Sequence, residues 1–134
     1  MKPCRRSAAG DCHCYHARNV TVLLEHSPGQ GSTAWFEVIG AGDIVPAKKP
    51  TPNIYLWVLE KLGPPASACP AFEDFENGLR AALGAGLATI VTTNDYTLDH
   101  AFDGAAVVLP DLGASDAPHR VNIARLHEWC SAKP

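Results

Sequence analysis

Cys69 to Ala82 reads CPAFEDFENGLRAA, and this stretch decides the fold. It opens with a short apolar run, Cys69-Pro70-Ala71-Phe72, and two carboxylates, Glu73 and Asp74, follow at once. Beyond them Leu79, Ala82 and Leu83 fall on one helical face and Arg80 on the other. A short apolar run before an amphipathic segment predicts a buried strand feeding a helix. In open α/β sheets ligands sit at the carboxyl ends of strands, where Glu73 and Asp74 would stand. Adjacent carboxylates there can hold a hard cation such as Mg²⁺, which prefers oxygen ligands and keeps some waters. The same residues have a purely structural reading. Asp74 can be the N-cap of the helix, with Glu73 and Glu76 favoured near the positive end of its dipole. Spacing alone leaves both readings open.

Outward from this stretch the chain alternates strands and helices. Leu87 to Thr93 (LATIVTT) and Ala105 to Leu109 (AAVVL) are short strand runs, with Asn94-Asp95-Tyr96 as an exit loop. Asp116 to Ser131 predicts a closing helix, with Ile123, Leu126 and Cys130 as its buried face. On the other side, Thr51 can cap a helix that takes Pro52 at its first position. Ile54, Trp57, Val58 and Leu62 then form one apolar stripe, which should pack on a sheet, and Gly63-Pro64-Pro65 ends the helix. Trp35 to Ile39 (WFEVI) reads as a strand, and Asn19 to His26 suits either a helix face or a strand. Such alternation argues for a parallel α/β sheet.

Composition narrows the function classes. The 134 residues are 46% hydrophobic and 19% charged, which suits one globular domain rather than a disordered chain. The formal charge of −3, with no dense basic run, argues against a nucleic-acid partner. No apolar stretch approaches the roughly 20 residues of a membrane-spanning helix. The basic start, Met1 to Arg6, has no hydrophobic region after it, so no secretory signal is expected. Five cysteines, an odd number, fit reduced thiols in a cytoplasm better than a disulfide framework. Cys12, His13, Cys14 and His16 crowd together near the start and offer zinc-ligand chemistry, but Cys-x-Cys is tighter than a common finger. A poorly ordered leader over residues 1–16 is the expectation there. His100, His119 and His127 are given no chemical role.

A second segment, Ala41 to Tyr55, reads AGDIVPAKKPTPNIY. It places Gly42-Asp43 before Lys49-Pro50-x-Pro52, and Phe72-Glu73-Asp74 follows later with Asn77-Gly78 behind it. In this order and spacing the chain resembles the haloacid dehalogenase-like (HAD) phosphatases, in the branch of CbbY and phosphoglycolate phosphatase. Ile54 to Gly63 and Ala85 to Asp95 look like that branch too. In such enzymes one aspartate of a D-x-D pattern attacks phosphorus and the other acts as acid and base. Mg²⁺ neutralises the phosphate, and a lysine stabilises the transferring group. The resemblance implies Lys49 as the catalytic lysine, Glu73 and Asp74 as the Mg²⁺ residues, and Asp43 as support for the loop before Lys49. It implies a small phosphorylated metabolite as substrate, such as a sugar phosphate.

The departures carry as much weight. D-x-D occurs nowhere in the chain, and Asp11 is the only acid before Glu25, so no nucleophile is assigned. The expectation is therefore an incomplete Rossmann-like HAD core over residues 17–134, with a parallel sheet that lacks the first, nucleophile-bearing strand and the cap domain. Two readings follow. One is a Mg²⁺-dependent phosphatase of weak or no turnover as this chain; the other is a non-catalytic fragment or half-domain that associates with another chain. A receiver-like module shares only the acidic pair. Without its central strand the sheet would expose edges that invite pairing with other chains. Light scattering should therefore report species larger than a monomer, and a monodisperse monomer with a sharp thermal transition would contradict that expectation.

Overall fold

The computed structural model describes residues 17–26, 30–41, 44–113 and 116–132. The leader over residues 1–16, with Cys12, His13, Cys14 and His16, and the loop residue Asp43 lie outside the described residues. The elements are α1 (Ala17–His26), a 3-10 turn (Ser32–Trp35), α2 (Asn53–Leu62), a second 3-10 turn (Ala66–Ala68), β1 (Pro70–Glu73), α3 (Glu76–Gly84), β2 (Ala88–Thr92), β3 (Val107–Leu109) and α4 (Ile123–Ser131). The three strands form one parallel sheet in the order β1-β2-β3. Phe72 lies opposite Ile90, and Ile90 opposite Val107. The α/β class and the parallel sheet are as the sequence predicts. No helix among the described residues is long and apolar enough to cross a membrane.

β2 is the middle strand, and Thr89, Ile90 and Val91 are fully buried. That is the near-continuous apolar, β-branched signature of a strand covered on both faces. β1 is an outer strand, which tolerates Pro70 at its first position because no ladder donor is needed there. Against these strands lies α3, whose inward residues are small: Ala81 and Ala82 are fully buried beside Leu79. Ala71, Ala82, Ala85 and Leu87 form a core cluster, with Tyr55, Leu59, Ala66 and Cys69 packed on its margin.

Five local expectations are corrected. Trp35 to Ile39 is not a strand. Thr33 and Gly31 bond the Glu25 carboxylate, and Ser32 donates to the Leu24 carbonyl at 2.5 Å. These side-chain bonds hold Ser32–Trp35 in a 3-10 turn and leave Trp35 71% exposed. Thr51 does not cap α2. Its hydroxyl turns back to the Lys48 carbonyl at 2.7 Å, so Pro52 takes the cap position and the helix starts at Asn53. The stripe of α2 does not face the sheet. Ile54, Trp57 and Val58 pack around Gly40, where an added Cβ would lie 3.0 Å from Ile54; Tyr55 and Leu59 face the sheet instead.

On α3, Leu83 is partly exposed and Ala81 takes the buried place expected for it. The closing helix is shorter than predicted. Asn122 accepts the Arg125 N–H at 3.0 Å and caps α4, so Ile123 sits at its first position, mostly exposed. Gly63, with φ of 88°, ends α2 as expected, since the left-handed region suits a residue without Cβ.

Leu79 is the largest fully buried side chain of α3, 1% exposed. Leu79→Ala should lower the unfolding free energy by about 2–5 kcal/mol in urea titrations, because the cavity lies against the rigid middle strand.

Candidate active site at the end of β1

The peptide between Lys49 and Pro50 is cis, and the turn over Lys48–Thr51 closes with the Thr51 N–H on the Lys48 carbonyl at 3.0 Å. This turn sends the chain into α2 and aims the Lys49 side chain at the carboxyl end of β1. There the Lys49 ammonium meets Glu73 Oε1. Tyr55, in the first turns of α2, donates its hydroxyl to the same oxygen. The ammonium also lies 5.3 Å from the centre of the Tyr55 ring, within reach of its π face. The Glu73 side chain is 8% exposed and that of Lys49 is 33% exposed. The pair is thus a sheltered carboxylate bonded to an ammonium that still has an open side.

The other Glu73 oxygen is placed by α3. A Cβ at Gly78 would stand 1.9 Å from Oε2. Gly78 is buried in the first turn of α3, so only a residue without a side chain leaves the carboxylate its slot. Helix N-termini favour negative charge, which suits Glu73 at this spot.

Asp74 behaves differently from its neighbour. It is exposed, and Phe75 rather than Asp74 is the N-cap of α3, with no side-chain bond to the helix. The capping reading of Asp74 is therefore corrected. The Phe75 ring meets His100 edge-on at 4.8 Å, and the His100 Nδ1 is buried without a hydrogen-bond partner among the described residues. His119 pairs with Asp111 at 2.7 Å beyond β3, an exposed contact.

Lys49 and Glu73 come together from positions 24 residues apart in sequence, and Asp74 follows Glu73 as an exposed neighbour. Tyr55 joins them, and sequence reasoning missed it. Its place six residues after the lysine, in the first turn and a half of the helix that the lysine leads into, was the available signal. As for a cation, no group of three or more His, Cys, Asp or Glu side chains able to hold a metal exists among the described residues. The donors fit a hard cation that keeps its waters and takes further ligands from a substrate, with Asp74 open and Glu73 Oε1 already engaged. They do not form an all-protein cage.

A family model described as haloacid dehalogenase-like hydrolase matches residues 16–86, over half of the chain. The chain belongs to this family. The match takes in Lys49, Tyr55, Glu73, Asp74 and Gly78. Protein CbbY, plasmid, of Cupriavidus necator is 42% identical over 113 residues, which are 83% of this chain and 44% of that one. The crystal structure of CbbY from Rhodobacter sphaeroides in complex with phosphate is similar with a TM-score of 0.69 and 42% identity, over 73% of this chain and 45% of that chain. A variant of that CbbY in complex with xylulose-(1,5)bisphosphate is similar to the same degree. The chain thus spans under half the length of these relatives.

The Tyr55 phenol is pushed above its ordinary value of 10, first by burial, then by the Glu73 charge and the hydrogen bond to it. A proton held more tightly in the folded state stabilises the fold below the unfolded value, and that contribution is lost as pH rises toward the folded one. Above about pH 10, urea stability should therefore fall more steeply in wild type than in Tyr55→Phe, by up to about 1.4 kcal/mol per pH unit. Equal slopes would mean that the phenol is neither buried nor held by Glu73.

Proposed function

We propose that the chain carries the phosphate- and Mg²⁺-binding part of a phosphatase of small phosphorylated metabolites, of the sugar-phosphate class. The observation that carries this is the meeting of the Lys49 ammonium with the sheltered Glu73 carboxylate at the carboxyl end of β1, with the exposed Asp74 next in the chain. The similarity to proteins solved with phosphate and with a sugar bisphosphate adds to it.

In this reading Lys49 binds and orients a phosphate with the ammonium hydrogens not used by Glu73. An ammonium has three donors and one is engaged. Glu73 keeps that ammonium aimed at the strand end. Asp74 holds Mg²⁺, with Glu73 beside it, and Asp43 supports the loop before Lys49. When bound, Mg²⁺ neutralises phosphate charge and fixes the phosphate's orientation. With no D-x-D pattern in the sequence, the turnover proposed for this chain is weak. The reading also keeps the expectation of self-association, because β1 and β3 are the outer strands among the described residues and Phe72 and Val108 are exposed.

The test is calorimetric titration of inorganic phosphate with and without Mg²⁺, beside Mg²⁺-dependent release of p-nitrophenol from p-nitrophenyl phosphate. Phosphate binding should require Mg²⁺ and weaken about tenfold or more in Asp74→Ala and in Lys49→Ala, a loss typical of a charged ligand contact. Binding left unchanged by both substitutions would sink the proposal.

A further inference from the structure

Tyr55 touches both members of the ion pair, and nothing in the phosphatase reading requires a tyrosine there. Its ring is packed at the margin of the Ala71, Ala82, Ala85 and Leu87 cluster. Its hydroxyl donates to Glu73 Oε1, and its ring lies near the Lys49 ammonium. With Oε2 lodged against Gly78, both oxygens of the Glu73 carboxylate lie against neighbouring groups. Lys49 alone would not fix it. A single ammonium on a four-carbon stem is a mobile point charge, and one bond leaves the carboxylate free to rotate about its last torsion.

We propose that Tyr55 is a positioning residue, which holds the Glu73 carboxylate and the Lys49 ammonium in one fixed arrangement so that the open side of Lys49 faces a bound phosphate. The inference rests on the phosphate-site reading above. Sharing is the physical point. Because Oε1 accepts from Tyr55 as well as from Lys49, the ammonium does not have to satisfy the carboxylate by itself. Removing the hydroxyl leaves a sheltered carboxylate with one donor fewer, and the ammonium is drawn inward to compensate, away from the phosphate.

The test uses Tyr55→Phe, which keeps the packed ring and removes the hydroxyl, and Tyr55→Leu, which removes both ring and hydroxyl. A readout independent of turnover comes first. A hydrogen-bonded phenol proton in slow exchange should appear downfield in the proton spectrum of the wild-type chain, vanish in Tyr55→Phe and shift in Glu73→Gln. No proton answering to both substitutions would overturn the proposal. The second readout is turnover of p-nitrophenyl phosphate with Mg²⁺. Tyr55→Phe should lower kcat/KM about tenfold, since the ammonium is drawn away from the phosphate, and Tyr55→Leu should lose more. An unchanged kcat/KM in Tyr55→Phe would overturn the proposal as well. If the wild-type chain releases no p-nitrophenol, the phosphatase reading falls separately, and equilibrium binding of inorganic phosphate decides. A tenfold loss in Tyr55→Phe supports positioning; equal binding rejects it.

Discussion

A carboxylate kept from water must be met by donors, and Glu73 is such a carboxylate. Its side chain is 8% exposed; its donors come from the turn at Lys49 and the start of α2 at Tyr55, and Gly78 in the first turn of α3 leaves it room. The end of β1 therefore has its shape fixed from all sides. Removing one partner of a buried pair commonly costs about 3–5 kcal/mol, against a total stability of about 5–15 kcal/mol for a domain. The site and the fold thus draw on the same contacts. A change that loosens Glu73 also loosens the joint between α2, α3 and the sheet.

Small side chains make this joint possible. Ala71, Ala82 and Ala85 line the contact between β1 and α3, which lets the helix come close enough for Gly78 to face the Glu73 carboxylate. A larger residue on either side would lift α3 and open the slot. The alanines thus fix the distance across which the acid at the strand end meets the helix N-terminus. Tyr55 bridges the two roles, since its ring belongs to the margin of that cluster and its hydroxyl belongs to the site.

What could be read in the sequence follows from the range of the forces involved. β2, β3, α2 and the strand-helix unit at Cys69 to Ala82 were legible because period and composition are local. So were Lys49, Glu73 and Asp74, through the resemblance of their surroundings to a known family. The misreadings have a common cause as well. At Trp35 to Ile39 the β-favouring residues were overruled by Glu25, a side chain from the preceding helix that bonds Gly31 and Thr33. At Thr51 the hydroxyl had two possible partners, and it bonds the carbonyl behind it rather than the amide ahead. The apolar stripe of α2 was real, but its partner was the backbone at Gly40, which pattern alone does not name. Tyr55 was missed because a tyrosine on an apolar helix face looks like packing until its hydroxyl is seen on a carboxylate.

Glu73 and Asp74 are adjacent, yet the fold gives them unlike environments. Successive residues leaving a strand point to opposite sides. Glu73 turns inward to a lysine, a tyrosine and a helix start, whereas Asp74 is left in water with no capping duty. An acid in the first setting is spoken for by protein donors, so it serves best to fix the direction of Lys49. An acid in the second setting has its oxygens available, and a hard cation that retains waters asks for little else from the protein. A motif of two acids is therefore two parts with separate work. In the proposed reading the inward acid serves the phosphate side of the site and the outward acid the cation side, with one peptide bond between them.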